Sequence, residues 1–416
     1  MKLQRCFFVA LASLLAVNIA TAENWTEFRG PSGQGIAADS KAPVEWGIEK
    51  NITWKISLPG NGWSSPIYLD GRIYVTTSVP VEGGEKYDQT LRALCLNAKT
   101  GDKIWDETVF DQTGEIVKRV HNKNSHASPT PITDGKYVYV HFGTVGTACL
   151  TLGGKIVWKN QSLKYNPVHG NGGSPVLVDD KLIVICDGGD TNFLVAMDRE
   201  TGDNIWKIDR TASQGRKFAF STPLLIEVEG IKQLVCPGAG SVRSYDPKSG
   251  DEIWRADYPG GYSVIPRPVY GNGLVYICTG YGKPHLMAID PTGTGNVTKT
   301  NVKFDISRSV PHSASLLLIG KEIYMVSDGG IASCIDAMSG DIVWQERIGG
   351  NYSASPIYAA GNVYFQSEQG DATVVKANRE FEIISKNSLR ARTLASYAVA
   401  ESALFIRFDG GLVRVD

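Results

Sequence analysis

Asp198-Arg-Glu-Thr-Gly-Asp-Asn-Ile-Trp206, Asp246-Pro-Lys-Ser-Gly-Asp-Glu-Ile-Trp254 and Asp336-Ala-Met-Ser-Gly-Asp-Ile-Val-Trp344 are three copies of one phrase. Each is hairpin chemistry: Asp bonds the turn amides, Gly takes the left-handed conformation, and the chain reverses into a strand that carries Trp. Looser copies run from Gly101 to Trp105 and from Gly154 to Trp158, and the residue before every one of these Trp is Ile or Val. The Trp spacings are 53, 48, 48 and 90 residues. The last gap is two periods long, which places one lost Trp near Val297.

Between the Trp positions a second element recurs: a small residue, often followed by Pro, then a short apolar segment, a turn and a β-branched or aromatic strand. Ser65-Pro66, Ser128-Pro129, Ser174-Pro175, Thr222-Pro223, Pro268-Val269, Ser315-Leu316, Ser355-Pro356 and Ser396-Tyr397 mark its copies. Each unit reads as four short strands with tight turns between the first two and the last two. Four strands repeating near every 45 residues specify an all-β propeller, whose blades bury their faces by stacking radially. The 363 residues from Trp54 to Asp416 accommodate eight blades. The last copy has only three strands before the chain ends, and Ile52–Ile56 reads as the missing outer strand with Trp54. The two termini therefore close one blade, leaving no open edge. Indoles on outer strands, Trp54, Trp105, Trp158, Trp206, Trp254 and Trp344, are expected to dock neighbouring blades, each burying on the order of 200 Å2.

Lys2 and Arg5 precede an apolar run from Phe7 to Ile19, and Ala20-Thr21-Ala22 supplies a small-x-small cleavage pattern. This is the layout of a secretory signal peptide over 1–22 with cleavage near Ala22, so the mature chain is expected to be periplasmic or secreted. A lead-in follows over 23–43, then the propeller over 44–416. The composition agrees with strands and turns, with 45 Gly and 19 Pro. Balanced charge, 42 Lys+Arg against 43 Asp+Glu, gives no basic surplus for phosphate neutralisation, so no nucleic-acid partner is expected.

The Asp-x-x-Thr/Ser-Gly-x-x-x-Trp repeat resembles that of pyrroloquinoline-quinone-like (PQQ-like) propellers over 44–416. That group includes quinoprotein alcohol dehydrogenases and the propeller subunit of the outer-membrane β-barrel assembly machinery. The opening Trp25-Thr-Glu-Phe28-Arg29-Gly30-Pro31-x-Gly33-x-Gly35 is similar to the lead-in of many secreted bacterial members. The resemblance implies the fold; it implies either a scaffolding role or a dehydrogenase, since one fold hosts both.

Function is expected on the loop face, where the connections between blades and those between the two middle strands of a blade emerge together. These connections carry His126, His169, Asn171, Asp187, Asp190, Arg267, Tyr281, His312, Asp328, Glu368 and Arg392, a polar funnel suited to a small ligand or a partner surface. No His pair has metal-ligand spacing and no Gly-x-Ser-x-Gly elbow occurs, so neither a metal nor a catalytic residue is assigned. Dehydrogenases of the resembling group carry a vicinal Cys pair over the quinone, a Trp floor, calcium with Glu/Asn/Asp ligands and an Asp base. Here the cysteines of the mature chain, Cys95, Cys149, Cys186, Cys236, Cys278 and Cys334, are dispersed over strands. The sequence thus points to an exported, monomeric, non-catalytic binding or scaffold propeller with no cofactor, taking an envelope or secreted protein partner or a small polar ligand. The alternatives are a PQQ- and calcium-dependent oxidoreductase, or a carbohydrate- or metal-binding propeller.

Overall fold

The computed structural model describes residues 24–416 except 115, 118, 119, 211, 213, 214 and 259, and the expected signal peptide lies outside the described residues. Eight sheets, each with four antiparallel strands in sequence order, form an eight-bladed propeller. In chain order these are blade 1 (67–112), blade 2 (132–160), blade 3 (176–209), blade 4 (224–257), blade 5 (269–306), blade 6 (317–347), blade 7 (357–388) and blade 8 (398–415). Blade 8 takes its outer strand from Ile52–Ser57, which pairs antiparallel with Gly411–Val415. The N-terminal strand thus closes the ring, as the sequence requires.

The repeat phrase explains how the blades dock. The indole N–H of Trp54, Trp105 and Trp158 donates to Ala98 O (3.0 Å), Leu152 O (2.9 Å) and Arg199 O (3.0 Å), each in the outer turn of the next blade. Trp344 does the same to Asn378 O at 3.2 Å. The turn glycine lies on the ring, and it must be Gly twice over. At Gly202 φ is +80°, and a Cβ there would sit 2.5 Å from Trp158. Two indoles depart from the pattern. Trp254 donates to Gln233 in its own blade (2.7 Å), while Trp206 Nε1 has no partner among the described residues.

The lost Trp is not near Val297. Phe304 pairs with Ala288 in the register where Trp344 pairs with Cys334, so Phe304 holds the Trp place in blade 5. The intervening residues make an excursion in which Gly295–Asn296 pairs parallel with Trp254 and Arg255 of blade 4. Blade 7 lacks the Trp as well, and Ser385 stands in its register. The segment just after the lead-in compensates, because Trp46 stacks on Tyr364 of that blade with centroids 6.3 Å apart.

The lead-in is part of the propeller. Trp25 exchanges backbone hydrogen bonds with Tyr68 of blade 1, and Thr133 N–H of blade 2 donates to Thr26 O (3.0 Å). Further along, Ile36–Ala37 pairs parallel with Tyr358–Ala359 of blade 7. The segment therefore crosses the end of the central channel where the inner strands finish.

Candidate ligand-binding site

The small residue before Pro has a structural reason that composition does not reveal. Ser65 N–H donates to Thr130 Oγ1 (3.0 Å), Thr130 N–H to Ser174 Oγ (2.9 Å), and Ser174 N–H to Thr222 Oγ1 (3.0 Å). Beyond blade 5, Arg267 N–H donates to Ser315 Oγ (2.9 Å), Ser315 N–H to Ser355 Oγ (3.0 Å), and Ser355 N–H to Ser396 Oγ (2.9 Å). Six of the eight steps from one inner strand to the next blade are thus laced by one hydroxyl around the channel. This register corrects the reading of blade 2: Thr130-Pro131, not Ser128-Pro129, is the repeat element there. Blade 5 breaks the ring, with Arg267 in the hydroxyl position.

Inside this ring lies a cavity of about 570 Å3, lined by the hydroxyls below and by Trp63, Phe220, Ile265 and Leu394 above them, with Phe28 of the lead-in also on its wall. Phe28 O accepts from Arg267 Nη1 (2.6 Å), and Arg267 Nη2 pairs with Glu27 (2.8 Å). Burial pushes the Glu27 carboxyl above its usual range despite Arg267. Arg29 is 1% exposed, and its Nη2 donates to Leu316 O (2.6 Å) and Gln34 O (2.7 Å), while Nε and Nη1 have no partner among the described residues. Burial and the neighbouring Arg267 charge lower its guanidinium to about 9, so it remains cationic at neutral pH. The lead-in thus closes this end of the channel.

The opposite end is bridged from blade 1 to blade 2. His121 N–H donates to His169 O (3.1 Å), Lys123 Nζ pairs with Glu368 of blade 7 (2.7 Å), and Arg392 of blade 8 donates to Asn122 O (2.6 Å). Burial lowers the Lys123 ammonium, but Glu368 more than reverses this and holds it above its usual value. One side of the mouth is aromatic. His169 sits edge-on to Phe218 (5.2 Å), Phe218 meets Tyr262 (5.9 Å), and the Arg216 guanidinium lies 4.5 Å over the Tyr262 ring. The other side is ionic. Asp328 accepts from His312 N–H (2.8 Å) and Ser313 Oγ (3.3 Å). Burial pushes its carboxyl up, but the His312 bonds and the Lys123 charge prevail and hold it below the usual range.

Of the funnel residues expected from sequence, His169 and Tyr281 line the cavity. His312 lies under Tyr281, with rings 4.7 Å apart, and Asp328, Glu368 and Arg392 belong to the mouth contacts. The rest lie elsewhere. His126 Nδ1 meets the Gln112 amide (2.9 Å), and burial lowers its imidazole. Asn171 is buried, donating to Phe142 O (3.0 Å) and accepting from Tyr165 OH (3.1 Å). Asp187 forms a buried pair with Arg210 (2.8 Å), and burial outweighs that cation, raising its carboxyl to about 6. Asp190 accepts the N–H groups of Asn166 and Thr191 in a surface loop. Arg267 anchors the lead-in. Sequence reasoning missed Lys123, Phe218 and Phe28, for which no repeat position gives a signal.

A family model described as outer membrane protein assembly factor BamB (PQQ_2) matches residues 106–346 and 309–415. The chain belongs to this family. Among solved structures, this PQQ_2 propeller is similar to BamB from Moraxella catarrhalis, with TM-score 0.60 and 14% identity over 87% of this chain and 96% of that one. It is similar to a europium-containing methanol dehydrogenase, with TM-score 0.57 and 11% identity over 94% and 90% of the two chains. At such identities the likeness concerns fold alone. A curated relative, tetrathionate hydrolase of Acidithiobacillus ferrooxidans, is 24% identical over 250 residues, 55% of this chain and 44% of that protein. The match thus spans less than half of that relative's length. Among the described residues no helix is long and apolar enough to cross a membrane.

Proposed function

We propose that this chain is an exported, non-catalytic binding propeller of the cell envelope, which receives a small ligand or a segment of a protein partner at the loop face. The observation that carries this reading is the cavity itself. It is large enough for a ligand of ordinary size, mostly apolar and hydroxyl-lined, and closed by the lead-in at the far end. Charged groups at its ionic side are spent on one another: Glu368 on Lys123 and Ser353 (2.6 Å), Asp328 on His312 and Ser313. Such pairs hold a surface in shape and leave little for proton transfer.

The residues present do not fit the quinone and metal of the dehydrogenase alternative. The lead-in residue that lines the cavity at the closed end is Phe28 rather than a Trp, and the six described cysteines are buried singly in strands. Burial pushes the thiols of Cys95 and Cys334 up to about 12, which makes them inert packing groups. The Lys123 ammonium occupies the place between the mouth carboxylates that a cation would need, and no cluster of three His, Cys, Asp or Glu suited to a metal occurs among the described residues.

Two measurements test the reading. A photo-crosslinking amino acid at Tyr281, on the cavity wall, is expected to capture an envelope component in living cells, whereas the same group at exposed Ile231 on a blade margin is not. Purified protein supplied with PQQ and calcium is expected to give no dye-coupled alcohol oxidation; turnover with retained quinone would overturn the proposal.

A further inference from the structure

Six of the hydroxyls in the inter-blade ring, Thr130, Ser174, Thr222, Ser315, Ser355 and Ser396, are each at most 5% exposed, and each lines the cavity. A hydroxyl carries one proton and two lone pairs. In all six, one lone pair receives the N–H of the preceding blade. None of the six donates its own proton to a protein acceptor among the described residues. The lacing therefore leaves each of the six hydroxyls with its proton and one lone pair, a ring of O–H groups around the channel axis whose protons are free to donate to a ligand.

The charge at the closed end has the same sense. Two guanidiniums, Arg29 and Arg267, are buried at this end, and one carboxylate, Glu27, pairs with Arg267. This leaves one positive charge in excess, and two nitrogens of Arg29 have no partner among the described residues. A buried charge acts further than an exposed one, because little water screens it. Nearer the mouth, Arg216 lines the cavity and takes part in no ion pair among the described residues. The apolar walls complete the picture. Two residues before the ring position stand Trp63 in blade 1 and Leu394 in blade 8. Across the axis, the same place holds Phe220 in blade 4 and Ile265 in blade 5.

From this arrangement we infer that the cavity binds a small organic anion, with its oxyanion head, a carboxylate, sulfonate or sulfate, turned to the hydroxyl ring and its apolar body between the Trp63/Leu394 and Phe220/Ile265 walls. The inference rests on the binding role proposed above and names the chemistry of its ligand. An oxyanion accepts several hydrogen bonds at once, and its charge is complemented by the positive excess at the closed end and by Arg216 at the rim. A neutral alcohol of the same shape keeps the apolar contact and ordinary hydrogen bonds but gains no charge-assisted ones.

Calorimetric titration of the full mature protein with 2-naphthalenesulfonate and with its neutral counterpart 2-naphthalenemethanol separates these terms. The sulfonate is expected to bind at least about tenfold more tightly, as one or two charge-assisted hydrogen bonds would give. Thr222→Val, which keeps the side-chain shape without the hydroxyl, is expected to narrow that ratio severalfold. Arg216→Gln at the exposed rim does so without touching the lacing, and serves if the Val variant does not fold. Equal affinity for the two probes overturns the anion inference while leaving the cavity as a binding site. Binding of neither probe, with a protein captured at Tyr281, also overturns it and leaves the proposed binding role standing. If neither probe binds and Tyr281 captures nothing, both readings fall.

Discussion

Two segments cross the same channel at its two ends, and they are built from opposite physics. The lead-in crosses one end with Trp25, Phe28 and Arg29. Trp25 and Arg29 are both 1% exposed, and the lead-in's ion pair to Arg267 is buried. The link from blade 1 to blade 2 crosses the other end with His121 and Asn122 exposed, and it is tied by Lys123 to Glu368 and by a backbone carbonyl to Arg392. Removing one partner of a pair whose cation is buried, as Arg267 is, strands a charge in a medium that solvates it poorly, whereas at Lys123, which solvent reaches, water can take the partner's place. One end is thus a permanent wall and the other an access route, although both are made of loop.

The largest break in that comparison is expected from Arg267→Ala. It leaves Glu27 buried without its cation and should cost about 3–5 kcal/mol of unfolding free energy, read from urea denaturation. Glu27→Gln combined with Arg267→Met should recover much of this loss. Trp46→Ala should cost about 3 kcal/mol, because it empties the place that blade 7 cannot fill for itself. A loss near zero for Trp46→Ala would mean that this segment is only laid against blade 7.

Acid should separate the two ends. The Asp328 carboxyl is held below its usual range, so its contribution is present above the unfolded value of 3.8 and is lost as pH falls through the lower folded value. The Glu27 carboxyl is raised by burial, so protonation favours the folded form and acid does not remove that contribution. Hydrogen exchange between pH 5 and 3 should therefore show 120–125 losing protection while 25–37 keep it; release of the lead-in first would reverse the assignment. The smallest effect is expected from Lys123→Ala, at most about 1 kcal/mol in stability. It should nevertheless quicken probe association with the cavity, read by stopped-flow quenching of Trp63.

Much of the fold was legible because it repeats. The turn glycine, the indole and the alternating strands are each local requirements, and eight copies make them visible above the noise of one. Where copies deviate, the sequence misleads: Phe304 and Trp46 both do the work of a missing Trp, one by substitution in register and one from 339 residues away in the chain, counted from Ser385. The Ser/Thr-Pro element was equally visible, but its purpose was not, since a hydroxyl that accepts an N–H from the next blade has its partner about 45 residues distant. Of the funnel residues, loop position alone could not separate His169 and Tyr281, which line the cavity, from Asn171 and Asp187, which are buried away from its lining.

The sequence by itself determined the blade, the number of blades and the closure of the ring, because strand period, turn chemistry and an unpaired edge are all properties of neighbouring residues. Only the tertiary structure decided what the ring encloses. A cavity exists where distant segments meet, and nothing local in Phe28 or Lys123 records that they stand at opposite ends of one axis.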